Sequence, residues 1–130
     1  MKYWNQKFAL SGKELTPRKY STGKTQESVI KSCVEFFKNA TPQIDEQGNN
    51  KPIFALLKGG VGSGKSSIAL GVLSFFNKGQ LVVPTKVLQD QYKNDYSGDN
   101  PRIHIFKPND TKLYITTPKG KSNFGCIYKK

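Results

Sequence analysis

Apolar and polar positions alternate in several distinct rhythms along this chain. From Thr25 onward, Val29, Ile30, Cys33, Val34 and Phe37 recur at one-, three- and four-residue spacings, which places them on one face of a helix. Thr25, with Glu27 and Ser28 close behind, suits the start of that helix. Ile53-Phe54-Ala55-Leu56-Leu57 is a continuous apolar run, the pattern of a strand covered on both faces. Residues 66–76 return to helical spacing. Leu81-Val82-Val83 reads as a second covered strand, ended by Pro84, and Thr85 is a suitable N-cap for a helix over 86–92. Residues 103–106 and 113–116 alternate weakly and read as further strands. Residues 1–22 are mixed and turn-prone at Ser11-Gly12 and Ser21-Thr22-Gly23, 40–52 have loop composition, and no periodicity is visible from Pro118 on. Strand, helix, strand, helix in the middle predicts an α/β fold with parallel strands.

The length of 130 residues allows one domain, so a two-domain motor is beyond this chain alone. With 35% hydrophobic residues, a modest core is expected rather than wholesale disorder. No apolar run approaches the roughly 18 residues of a membrane span, and the first twenty residues lack the apolar centre of a secretory signal. The two cysteines, Cys33 and Cys126, are too far apart in sequence and too few for a disulfide scaffold. A reducing, cytoplasmic setting without membrane attachment is the expectation. Charge adds a positive clue. Twenty-one bases against nine acids give +12, and the excess is shared evenly by the two halves of the chain. A basic body of this kind suits a polyanionic partner or, more plainly, a lysine-rich soluble surface. Arg18 and Arg102 are the only arginines, so lysine point charges carry most of the field.

The segment Gly59-Gly60-Val61-Gly62-Ser63-Gly64-Lys65-Ser66 satisfies G-x-x-x-x-G-K-[ST] at every fixed position. Glycines let the backbone curl so that successive N–H groups point at phosphate oxygens, and bulky side chains would block that approach. Lys65 is expected to reach the β- and γ-phosphates and Ser66 to ligate Mg²⁺, with Ser67 continuing the site into the helix. An apolar run precedes the motif and a helical pattern follows it, as the motif's physics requires. The expected ligand is therefore Mg·ATP, with catalytic roles for Lys65 and Ser66. Hydrolysis needs a further acid at the end of a covered strand. None of the nine acids has that setting, and the one acidic pair, Asp45-Glu46, sits in loop composition. The loop by itself serves kinases, switches, motors and transporters alike.

A second motif, Val82-Val83-Pro84-Thr85-Lys86-Val87-Leu88-Gln89-Asp90-Gln91-Tyr92, resembles motif Ia of superfamily 2 helicases, which follows the strand after the P-loop. In that family this turn touches the backbone of the tracked strand, which implies nucleic-acid contact for Thr85 and Lys86. Gln26 resembles the glutamine upstream of the P-loop that reads adenine in these helicases. Lys119-Gly120-Lys121-Ser122-Asn123-Phe124-Gly125-Cys126 resembles K-G-R-x-N-Y-x-C of the iron–sulfur branch, the XPD- and DinG-like DNA helicases, with Lys121 and Phe124 as departures. The resemblance implies that Cys126 is the first ligand of a [4Fe–4S] cluster. Such a cluster needs four cysteines, and Cys33 lies on an apolar helix face, so this chain alone should not assemble one.

The resemblance runs from about Arg18 to Cys126 but covers only the beginning of the family's first motor domain. The expected fold is therefore a P-loop NTPase, a RecA-like three-layer α/β sandwich in incomplete form. Residues 1–22 form a lead-in, 23–117 the RecA-like segment and 118–130 the start of a possible iron–sulfur insertion. In the family, strands from later in the chain lie between those of 53–57 and 81–83. Here these two segments either pair directly or remain exposed edges of a piece whose remainder lies in the same or a separate chain. The implied function is the ATP-binding segment of an ATP-dependent helicase or translocase acting on single-stranded DNA, without turnover as this chain alone. The alternative is a stand-alone basic P-loop module that binds nucleotide or nucleic acid. A small P-loop kinase ranks last, for want of a second strand-end acid and an arginine-bearing lid. Trp4, Tyr3, Tyr92, Tyr96 and Tyr114 are available to stack on bases if exposed.

Overall fold

A computed structural model describes residues 2–60, 62–97 and 100–117. In chain order they form strand β1 (Gln6–Phe8), helix α1 (Gln26–Asn39), helix α2 (Lys65–Leu73), helix α3 (Lys86–Tyr96) and strand β2 (Ile103–Ile105). The three helices start where the sequence predicts. Thr25 caps α1 through a reciprocal capping box: its hydroxyl accepts from Ser28 N, and Ser28 Oγ accepts from Thr25 N. Thr85 caps α3 by accepting from Leu88 N at 3.2 Å. That helix runs four residues beyond the expected 86–92 because Tyr96 is buried against the neighbouring elements.

Helix α2 is central. Its sequence KSSIALGVL is apolar on all sides after the first turn, which is the signature of a helix covered all round. One side joins Trp4, Ile30, Val34 and Ile68 in a cluster with the lead-in and α1. The opposite side joins Leu70, Tyr96 and Ile105 in a cluster with α3 and β2. Burying a side chain such as Ile30 or Ile68 contributes roughly 1.5–3 kcal/mol, so the helix that closes both clusters holds the molecule together. Gly71 permits the close α1–α2 approach: a Cβ there would lie 2.5 Å from Ile30 Cδ1.

The sheet differs from expectation. Strands β1 and β2 pair antiparallel, with Gln6 opposite Ile105 and Phe8 opposite Ile103. Residues 112–113 double back beside β2 through the bridge Phe106–Lys112 and the Leu113 N–H to Ile105 O bond, while 114–117 extend without pairing among the described residues. Residues 53–57 and 81–83 form no strand and do not pair with each other among the described residues. Phe54 is 81% exposed, Leu56 98% and Val82 80%. A strand needs a neighbour to satisfy its backbone N–H and C=O groups. These two segments have strand composition but no such neighbour, so the expected parallel sheet and its three-layer arrangement are not formed by the described residues.

Candidate functional site

The glycine-rich segment leads into α2, and its conformation explains its composition. Gly62 and Gly64 have φ of 75° and 80°, left-handed values that favour glycine. Gly64 also lies against Gln26: a Cβ there would be 2.1 Å from Gln26 Nε2. A Cβ on Gly59 would lie 2.9 Å from Ser63 Oγ and 3.1 Å from the Lys65 stem. Lys65 folds back over the loop and donates from Nζ to Gly59 O at 3.1 Å, so both ends of the motif meet. Ser63 N–H closes the interior turn onto Gly60 O at 3.2 Å. The first intrahelical bond of α2 runs from Ile68 N to Gly64 O. The N–H groups of Lys65, Ser66 and Ser67 therefore have no helical acceptor, and with the helix dipole they make an anion-attracting end.

The predicted site residues fall into three places. Gly59, Gly60, Gly62, Ser63, Gly64, Lys65 and Ser66 are together in the loop and first helical turn, and Val61 lies outside the described residues. Lys65 is exposed and Ser66 half-buried. Ser67 faces away. Its hydroxyl shares a 3.0 Å hydrogen bond with Tyr96 OH, and its carbonyl accepts from Gln6 Nε2 at 3.0 Å. Ser67 thus anchors α2 to α3 and β1.

Gln26 is not on the surface. It is buried, its Oε1 accepts from Arg18 N at 2.8 Å and its Nε2 donates to Gly64 O at 3.1 Å. Two contacts to the loop escaped sequence reasoning. Arg18 Nη1 donates to Gly62 O, and Tyr20 OH donates to Ser63 O at 2.5 Å. The only advance signal was that Arg18 is one of two arginines in a lysine-rich chain.

Thr85 and Lys86 lie elsewhere, on an open groove of about 1050 Å³. Its apolar lining includes Leu70, Leu73, Val82, Val83, Tyr96 and Leu113. Lys78, Lys86, Lys107 and Lys112 also line it, with no Asp or Glu among its described lining residues. No described residue of the glycine-rich loop lines this groove. Of the aromatic stacking candidates, Trp4 is a core residue, 4% exposed, with Nε1 donating to Leu15 O at 2.6 Å. Tyr3 stacks on Phe75, Tyr96 is buried, Tyr92 is half-buried beside it, and Tyr114 is exposed.

At least five of the nine acids are engaged by neighbouring groups. Asp45 accepts from Gln47 N and Asn49 N within its turn, Glu27 from Tyr3 N, Glu14 from Lys2, Asp110 from Asn5, and Asp95 lies 3.7 Å from Arg102. Cys126 lies outside the described residues. Burial pushes the Cys33 thiol up, which disfavours the thiolate that a metal ligand needs. Two cysteines in the chain cannot supply the four of a [4Fe–4S] cluster. Among the described residues no cluster of His, Cys, Asp or Glu is arranged to hold a metal, and no helix is long and apolar enough to cross a membrane. No family model, curated protein or solved structure matches the chain.

Proposed function

We propose that this chain binds the triphosphate of ATP through residues 59–66 and the backbone of a nucleic acid near Thr85 and Lys86, as the ATP-binding segment of a helicase-like assembly would. The observation that carries the reading is the closed loop: two left-handed glycines, Lys65 folded over onto Gly59 O, and N–H groups without helical acceptors at the start of α2. Phosphate oxygens meet N–H donors there, and Lys65 moves from Gly59 O to the phosphates. Ser66 would hold Mg²⁺, which would supply charge neutralisation for the triphosphate. The likeness to superfamily 2 helicases, and with it single-stranded DNA as the polymer, rests on the motifs around residues 59–66 and 82–92.

A second reading, binding without turnover, is favoured by the setting of the acids: Asp110 accepts from Asn5, and Asp95 faces Arg102 at 3.7 Å. Titration with a fluorescent ATP analogue and Mg²⁺ tests the first claim. Saturable binding that weakens at least about tenfold in Lys65→Ala is expected. Equal binding by both proteins would overturn it. Phosphate release measured on the same sample, with and without single-stranded DNA, separates the two readings.

A further inference from the structure

Resting on that nucleotide-binding reading, we infer that Arg18, Tyr20 and Gln26 form a clamp that positions the phosphate loop, and that Gln26 acts through the loop rather than on the base. Three successive loop carbonyls, those of Gly62, Ser63 and Gly64, each accept a hydrogen bond from a side chain of this one short segment. Arg18 holds the first, Tyr20 the second and Gln26 the third. In a planar trans peptide the C=O and the following N–H point in opposite directions. Fixing the Ser63 and Gly64 carbonyls toward the clamp therefore aims the N–H groups of Gly64 and Lys65 away from it. The Ser63 N–H, by contrast, is used internally on Gly60 O. The Lys65 donor stands next to those of Ser66 and Ser67 in the first turn of α2, which have no helical acceptor.

The segment is itself held in place. Gln26 N–H donates to Arg18 O at 3.0 Å and Arg18 N–H donates to Gln26 Oε1 at 2.8 Å, so the two ends of the clamp lock each other. Gln26 opens α1 beside the Thr25 cap, which ties the clamp to the α1–α2 core. Both functional ends of the Gln26 amide are thus engaged with protein, and a glycine at 64 is what lets that amide come so close. A loop organised in this way recognises a polyphosphate chain, with no base discrimination contributed by Gln26.

The test uses the whole chain and three probes with Mg²⁺: ATP, GTP and inorganic tripolyphosphate. Binding is measured by calorimetry at fixed salt, with Lys65→Ala as the background for non-specific attraction to a basic protein. Gln26→Ala, Tyr20→Phe and Arg18→Met are each expected to weaken all three probes by a similar factor, about five- to tenfold. Arg18→Lys, which keeps a donor, is expected to recover most of the loss. Thermal unfolding of Tyr20→Phe and Arg18→Met reports whether the fold is intact, and for folded variants the common factor across probes is the signature. If Gln26→Ala weakens ATP while leaving GTP and tripolyphosphate unchanged, Gln26 reads adenine and the inference is wrong. If folded Tyr20→Phe and Arg18→Met bind as the parent does, there is no clamp. If the parent itself binds no probe better than Lys65→Ala, the failure lies in the nucleotide reading.

Discussion

Gly64 is the residue at which backbone and packing make the same demand. Its φ of 80° disfavours any side chain, and Gln26 Nε2 occupies the space a Cβ would need. Gly12 has a similar φ of 70° but open space around it. Substitution by alanine therefore separates the two costs. Gly12→Ala is expected to lose about 1–2 kcal/mol from the left-handed conformation alone and to leave nucleotide affinity unchanged. Gly64→Ala adds the collision, so it should melt lower than Gly12→Ala and bind ATP at least about tenfold more weakly. Equal melting temperatures and equal affinities for the two variants would contradict the loop geometry. Residues such as Gly64 and Lys65 were legible in the sequence because a phosphate loop constrains types at fixed spacing. Arg18 and Tyr20 were not, because a side chain that donates to a carbonyl more than forty positions away leaves no local pattern.

Elements divide along the same physical line. A helix satisfies its own backbone, so its start and its apolar face are written locally, and α1, α2 and α3 all begin within a residue of where pattern and caps put them. A strand depends on a neighbour. β1 went unseen because Gln6-Lys7-Phe8 is short and mostly polar, and its pairing partner lies about a hundred residues on. Residues 53–57 and 81–83 have the composition of covered strands, yet pair with nothing among the described residues. The α2–α3 contact gives a prediction at this scale. Burial, more than any other influence, pushes the Tyr96 hydroxyl above its ordinary range, with nearby Asp95 and Tyr92 adding to the rise and the hydrogen bond to Ser67 opposing it. The folded state therefore holds this proton more tightly than the unfolded chain does. Its stabilising contribution is complete below about pH 10 and is lost as pH rises through the folded value. Urea midpoints should fall above pH 10 in the parent and fall less in Tyr96→Phe. Parallel curves for the two proteins would show that Tyr96 is not held neutral by the α2–α3 contact.

For the molecule as a whole, charge and exposed surface have to be weighed together. A net +12 spread over both halves attracts polyanions from any direction, and part of it lies along the groove beside α3. Lys78, Lys86, Lys107 and Lys112 line the groove without an acid among its described lining residues, while Phe54, Leu56 and Val82 stand more than three-quarters exposed on the two strand-like segments. Apolar surface and lysines respond oppositely to salt: ion pairing with phosphates weakens, and hydrophobic association does not. Salt dependence therefore tells which of the two governs contact with nucleic acid. If the four lysines each meet a phosphate of a single strand, log affinity should fall linearly with log salt at a slope of about −3, since each contact contributes roughly 0.7. Lys86→Ala should flatten that slope by about 0.7 and weaken binding similarly for unrelated sequences, because phosphate contacts carry no base information. Fluorescence anisotropy with a labelled oligonucleotide at several salt concentrations measures both. A flat titration would assign the excess charge to solubility. A steep slope that Lys86→Ala leaves unchanged would move the nucleic-acid contact off the groove and away from the start of α3, and the likeness to a strand-gripping turn at Thr85 and Lys86 would then have no physical counterpart.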